Sequence, residues 1–181
     1  MILILLADGF EEIEALTPLD ILRRAGLNVK TVGINGKIVV GTHSIPLICD
    51  IEKEEVNYDE VDCVIFPGGM PGASNLDSSE FTDKIIAAVK NNGGRIAAIC
   101  AAPMILGRRG LLDGLRAVCY PGFESELKGA IISDKSVVTD GNITTAKGMG
   151  VALAFSKEIL RLLTDEQTYR KITSSIMEDI I

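Results

Sequence analysis

The sequence predicts an α/β domain: a mostly parallel, doubly wound sheet with helices on both faces. Three observations carry that expectation. Strand-like and helix-like segments alternate along the whole chain, the order that βαβ units require. The strand-like segments are continuous apolar runs, such as Ile2-Leu3-Ile4-Leu5-Leu6 and Cys63-Val64-Ile65-Phe66, as expected of strands covered on both faces. The composition is aliphatic and glycine-rich (18 Gly) with only 4% aromatic residues and no Trp, which suits a parallel sheet packed under helices.

Residues 2–6 read as the first buried strand. An acidic-start helix follows from about Glu11 to Ala25, closed by Gly26, and Asn28 to Ile34 read as the second strand. Asn35-Gly36 is a strong hairpin signal, so a small antiparallel excursion is expected through Val39–Val40 and Ile45–Ile48. Cys63–Phe66 form another buried strand, ending in Pro67-Gly68-Gly69-Met70-Pro71-Gly72. A helix from about Ser79 to Lys90 places Phe81, Ile85, Ala88 and Val89 on one face and stops at Asn91-Asn92-Gly93-Gly94. Ile96 to Ile99 are the next strand, after which Cys100 is expected to open a helix. Short strands follow at Val118, Ile131–Ile132, Val137–Val138 and Ile143–Thr145. The last large helix covers about Gly150 to Leu163, and a final helix runs from about Asp165 toward Ser175. No internal repeat or linker interrupts this order, and 181 residues fit one domain spanning 1–181.

Net charge and cysteine usage narrow the function. The chain carries 25 acidic and 18 basic residues, a net charge of −7, and has no basic run longer than a pair such as Arg23-Arg24 or Arg108-Arg109. Nucleic acid is therefore not expected as a partner. The opening apolar run is short, meets Asp8 at once and lacks a basic leader, so it reads as a strand rather than a signal peptide. No stretch approaches the ~20 apolar residues of a membrane span. Four widely spaced cysteines (Cys49, Cys63, Cys100, Cys119) and a single histidine fail the ligand count for zinc or iron–sulfur centres, so no metal is expected. A reducing, cytoplasmic location is expected, and no cofactor.

In an open parallel sheet, ligands bind outside the carboxyl ends of the strands. Four segments follow buried strands directly: Ala7–Glu14, Pro67–Gly72, Cys100–Pro103 and Thr145–Gly150. Cys100 carries the most information. The apolar run 96–99 turns through Cys100-Ala101-Ala102 into Pro103; small side chains permit a tight turn, and Pro is tolerated in a helix's first turn. Unpaired amides and a helix dipole there would favour the thiolate, the reactive form. Cys49, Cys63 and Cys119 sit in or beside apolar strands and read as inert. Glu14 is the second anomaly. It shares a helical face with Pro18, Ile21, Leu22 and Ala25, whereas Thr17, Asp20 and Arg24 lie on another. A carboxylate on an apolar face has its pKa raised unless it is paired, and could then pass a proton to or from Cys100. The plainer alternative is a surface glutamate that complements the helix dipole alongside Glu11 and Glu12. The Pro67-Gly68-Gly69 turn offers amides that could hold an oxyanion. Lys147-Gly148-Met149-Gly150 matches neither the P-loop nor the dinucleotide fingerprint.

Together, Glu11-Glu12-Ile13-Glu14, Phe66-Pro67-Gly68-Gly69, Ala97-Ala98-Ile99-Cys100-Ala101-Ala102-Pro103 and Thr145-Ala146-Lys147-Gly148-Met149-Gly150 resemble, in this order and spacing, the DJ-one/ThiJ/PfpI superfamily. The likeness is to its DJ-one branch and covers essentially the full chain. It implies a flavodoxin-like sandwich that forms a homodimer, a reactive cysteine at Cys100, a protonated glutamate at Glu14 and oxyanion-type amides at Gly69 and Ala101, with Gly68 beside them. It further implies either a glutathione-independent glyoxalase or deglycase acting on methylglyoxal or its adducts, or an oxidant sensor or redox-regulated chaperone whose cysteine becomes a sulfinate. Two departures matter. Where relatives often place a His near the cysteine, this chain has Tyr120, and its only histidine, His43, falls in the hairpin where relatives often carry Arg. Supporting roles are assigned to Tyr120, His43 and Arg24. The protease branch has a His directly after the cysteine; here Ala101 stands there, which disfavours a protease. Amidotransferases need a late His that this chain lacks.

Overall fold

The computed structural model describes residues 1–177. The elements run β1 (Ile2–Leu6), α1 (Glu12–Arg24), β2 (Val29–Gly33), β3 (Ile38–Val40), β4 (Pro46–Ile48), β5 (Ile51–Glu52), β6 (Cys63–Phe66), α2 (Gly72–Asp77), α3 (Glu80–Asn91), β7 (Arg95–Ile99), α4 (Pro103–Arg108), β8 (Arg116–Ala117), β9 (Ile131–Ile132), β10 (Val137–Asp140), β11 (Ile143–Ala146), α5 (Ala152–Leu163) and α6 (Glu166–Ser175). Seven strands make one sheet in the order β10-β11-β7-β6-β1-β2-β5. All its pairs are parallel except β10 on β11. No helix among the described residues is long and apolar enough to cross a membrane.

The sheet separates two apolar layers, and β1 shows why. Its side chains alternate between faces, and all five residues are buried. Leu3 and Leu5 join Val64, Phe66, Ile85 and Val89 under α2, α3 and α4. Ile4 and Leu6 join Leu22, Ile65, Phe155 and Ile159 under α1, α5 and α6. The helices are cut to fit these layers: α3 buries Phe81, Ile85, Ile86 and Val89 at helical spacing. In α1, Glu12 and Glu14 occupy the first turn and Arg23 and Arg24 the last, complementing its dipole.

The expected doubly wound architecture and small antiparallel hairpin are both present, with three differences in detail. β3 does pair antiparallel with β4, but the turn between them is formed by residues 41–45, not by Asn35-Gly36. β2 already bonds β1 on one side and β5 on the other, so it has no free edge on which a hairpin could fold back. The two-residue β5 and the short α2 were not expected: one is too brief, and the other too rich in small polar residues, to show a period. The third difference concerns Cys100, which precedes the helix rather than opening it, since α4 begins at Pro103.

The topology fixes where a ligand can bind. From β1 the chain winds outward through β2 and β5, then returns to β6 on the other side of β1 and continues through β7. The order reverses between β1 and β6, which leaves a crevice at their carboxyl ends. The loops after β1, β6 and β7 meet there.

Candidate active site

Cys100 stands where β7 ends, and its backbone is held in a conformation few side chains adopt. Its φ is +65°, the left-handed region, which costs on the order of 1–3 kcal/mol and persists only when neighbours over-determine it. Those neighbours are identifiable. Cys100 N–H donates to the Ala146 carbonyl (2.9 Å), and the Cys100 carbonyl accepts from Tyr120 N–H (2.8 Å). The turn lifts the sulfur to the crevice, where the amides of Ala101 and Gly69 point at it. This is the geometry of a nucleophile elbow, a strand-to-helix turn that exposes one reactive side chain.

Glu14 reaches the same point from α1. The residue is fully buried, and its Oε2 accepts a hydrogen bond from Gly68 N–H (2.9 Å). Oε1 is buried without a protein hydrogen bond among the described residues; the Cys100 thiol and the Met149 amide act on this carboxyl from close by. Gly68 makes the arrangement possible. A Cβ there would fall 2.6 Å from Cys100 Cβ, 2.6 Å from Glu14 Oε2 and 3.1 Å from the sulfur. Only glycine allows the carboxyl and the thiol to face one another.

Burial raises the Glu14 pKa to about 7, against the pull of its bonds to Gly68 and Cys100. Burial also pushes Cys100 up to about 12, reinforced by the charge of Glu14 and the hydrogen bond to it, with the Ala101 and Gly69 amides acting the other way. The sequence expectation of an acidic thiol at a helix start is therefore corrected. α4 has only six residues and begins beyond Cys100, so its dipole is small and desolvation wins. The two groups titrate as one unit. The first proton leaves near neutrality, and the second is retained because the pocket would otherwise hold two negative charges. A thiolate forms here by moving the shared proton onto Glu14.

The remaining predicted residues divide. Gly69 and Ala101 place their amides at the sulfur. Gly68 does not serve as an oxyanion donor, because its N–H is engaged by Glu14. Tyr120 lies on the rim, 51% exposed, its ring against Gly148. His43 pairs with Glu12 rather than with the thiol. Arg24 pairs with Asp20 (2.6 Å) on the solvent face of α1, about 15 Å along the helix from Glu14. Cys49 and Cys63 are buried with pKa values raised by burial to about 11 and about 12, and Cys119 likewise to about 11. Sequence reasoning missed the Ala146 carbonyl and the Met149 amide, which no side-chain pattern could have signalled.

The DJ-1/PfpI family profile matches residues 1–162. The chain belongs to the DJ-1/PfpI family. It is 33% identical to protein dj-1beta of Drosophila melanogaster over 178 residues, 97% of this chain and 95% of that one. The crystal structure of that protein superposes with a TM-score of 0.92 at 32% identity, covering 98% of this chain and 97% of that one. A protein named deglycase from Pyrococcus abyssi is 32% identical over 164 residues, 90% of this chain and 98% of that one. An oxidized DJ-1 from Toxoplasma gondii superposes with a TM-score of 0.91 at 31% identity, covering 97% of both chains.

Two outcomes are expected at this site. Glu14 holds its proton more tightly folded (about 7) than unfolded (4.5), so protonation stabilises the fold fully below pH 4.5 and that stability is lost as pH rises through 7. Urea denaturation of Glu14→Gln should lack this loss, gaining about 3 kcal/mol on the wild type between pH 4.5 and 7; parallel pH profiles would contradict the assignment. Separately, Gly68→Ala should remain folded yet slow alkylation of Cys100 by iodoacetamide by about tenfold or more, because the new methyl must part the carboxyl from the sulfur.

Proposed function

We infer that this chain is a cysteine-dependent enzyme acting on small reactive aldehydes, with methylglyoxal or its early adducts as the substrate class. The observation that carries this reading is the fully buried Glu14, with a pKa near 7, facing Cys100 across Gly68. A proton carrier works best when its pKa matches the working pH, and this one is in reach of the only partly accessible cysteine. The deglycase name of the Pyrococcus abyssi relative supports the same chemistry.

In this mechanism the Cys100 sulfur attacks the aldehyde carbon as its proton passes to Glu14. The carbonyl electron pair moves onto oxygen, which the Gly69 and Ala101 amides hold until Glu14 returns the proton, giving a hemithioacetal. Glu14 then removes the proton on the former aldehyde carbon, leaving an enediolate with its charge on the neighbouring oxygen. Glu14 gives that proton to the neighbouring carbon while the hydroxyl proton of the former aldehyde carbon passes to the neighbouring oxygen, and a thioester results. Water cleaves the thioester to a 2-hydroxy acid and restores the thiol. The net change is addition of one water, so no oxidant or cofactor is required. Tyr120, on the rim where relatives often carry a histidine, or a water beside it, would carry the outer proton transfer.

A second reading rests on the same donors. Peroxide would convert the thiolate to a sulfenic and then a sulfinic acid, each step taking one oxygen from peroxide and releasing water. Glu14 and the elbow amides would hold the product, and the oxidized Toxoplasma gondii relative gives this reading its support.

Purified, reduced protein incubated with methylglyoxal, without glutathione, should produce lactate catalytically. Cys100→Ser should abolish it, and Glu14→Gln should lower kcat by a factor of about 10²–10⁴. In the wild type, kcat/KM should rise with pH through about 7 as Glu14 ionises and becomes able to accept the thiol proton. Only stoichiometric aldehyde consumption, with two oxygens gained at Cys100 under peroxide, would favour the sensor instead.

The expected homodimer is proposed to form through α1 and the β3–β4 hairpin. Ile13, Val40, Ile45 and Ile48 are exposed there, and a groove beside Ile13 and Ile45 is continued by Leu153 and Ile176. An apolar face of this kind marks an interaction surface. Light scattering should give twice the chain mass, and Ile13→Glu should shift it toward the monomer; a monomeric wild type would refute the proposal.

A further inference from the structure

The two amides that face the Cys100 sulfur belong to residues that each lead into a short helix. The Gly69 N–H points at the sulfur, while the Gly69 carbonyl accepts from Ala73 N–H (2.9 Å) in the first turn of α2. The Ala101 N–H points at the sulfur too, and its carbonyl accepts from Met104 N–H (3.1 Å) in the first turn of α4. Each donor therefore moves with its helix. Both helices have six residues, too few to be stable alone, so packing and side-chain ties must hold them in place.

Those ties meet on Asp77. It is the last residue of α2, where the helix dipole disfavours a negative charge. Two arginines at the far end of α4 answer that charge: Arg108 Nη1 donates to Asp77 Oδ2 (2.6 Å), and Arg109 Nη1 donates to Oδ1. Arg109 Nη2 also donates to the Asp77 carbonyl (2.8 Å), placing a cation at the end of α2. The Asp77 side chain is 12% exposed and that of Arg109 19%, so salt and water screen this link little. Each arginine keeps a second carboxylate on another element: Glu126 for Arg108 (2.8 Å) and Asp83 of α3 for Arg109 (2.6 Å). Of the three carboxylates, only Asp77 joins α2 to α4.

We propose that Asp77 is a positioning residue for the Cys100 site: by joining the far ends of α2 and α4, it sets the spacing of the Gly69 and Ala101 amides at their near ends. At 1.5 Å per residue each helix spans only about 9 Å, so a shift at one end is felt at the other. Two donors converge on one sulfur only while the helices keep that spacing, and donors held in place are what stabilise negative charge there. The ion pairs lie on the α2, α3 and α4 side of the sheet, opposite α1 and α5. The inference rests on Cys100 being the reactive thiol and requires no particular substrate.

The test reads the thiol without any aldehyde, so its failure is separate from failure of the enzymatic reading. In Glu14→Gln the sulfur titrates without a charged neighbour. The pH midpoint of its alkylation by iodoacetamide, followed by mass on the Cys100 peptide, then reports on the amides. Adding Asp77→Asn should raise that midpoint by about one unit, as expected when hydrogen bonds to a charged acceptor weaken. Arg109→Gln in the same background should raise it likewise, which keeps the test open if Asp77→Asn does not fold. Glu126→Gln and Asp83→Asn each remove a charge from the same network without unlinking α2 from α4. Either should at most lower the melting temperature and should leave the midpoint in place. A midpoint unmoved by Asp77→Asn and Arg109→Gln, or moved as far by Glu126→Gln, would overturn the proposal, since the ion pairs would then serve stability alone.

Discussion

A water-excluded pocket cannot hold two negative charges side by side, and the candidate site is built on that restriction. Glu14 and Cys100 are both acids, both desolvated, and no side chain separates them at Gly68. Either can ionise, but not both. What the site controls is therefore the location of one proton rather than the acidity of one sulfur. The Gly69 and Ala101 amides favour charge on the sulfur, and the Gly68 amide favours it on the carboxylate. The balance between these dipoles decides how readily the proton moves.

The fold supplies the desolvation and the register. Glu14 is buried because α1 packs its apolar face on the sheet with α5 beside it. The pocket lies at the point where strand order reverses, so three loops arrive from independent strands: one with the carboxyl, one with the glycine turn, one with the thiol. Each is anchored by buried residues on both faces of the sheet. Donors set on such a frame need not reorganise as charge develops, which is the main source of electrostatic stabilisation in enzymes.

Much of this was legible in the sequence, and the reasons are local. Continuous apolar runs identified the parallel strands. Small residues and Pro after 96–99 marked the elbow, and a carboxylate among Pro18, Ile21 and Leu22 marked Glu14. What escaped depends on distance along the chain. The Gly68–Glu14 bond joins residues 54 apart, so nothing near Gly68 reveals that its amide is already engaged. The acidity of the thiol was read with the wrong sign because a strand followed by Pro predicts dipole and amides but not depth of burial. Asn35-Gly36 misled because hairpin chemistry is local, whereas the availability of an edge on β2 is decided by β1 and β5.

The clamp on Cys100 reaches late into the chain. The carbonyl that receives its amide belongs to Ala146, and the amide that binds its carbonyl belongs to Tyr120. During synthesis β7 emerges well before either, so the nascent thiol has no reason to adopt a strained backbone and behaves as an ordinary cysteine. The strained turn is complete only when β11 has joined the sheet beside β7. Incomplete chains and locally unfolded copies thus carry Cys100 as an exposed, ordinary thiol, without the turn that sets it against Glu14.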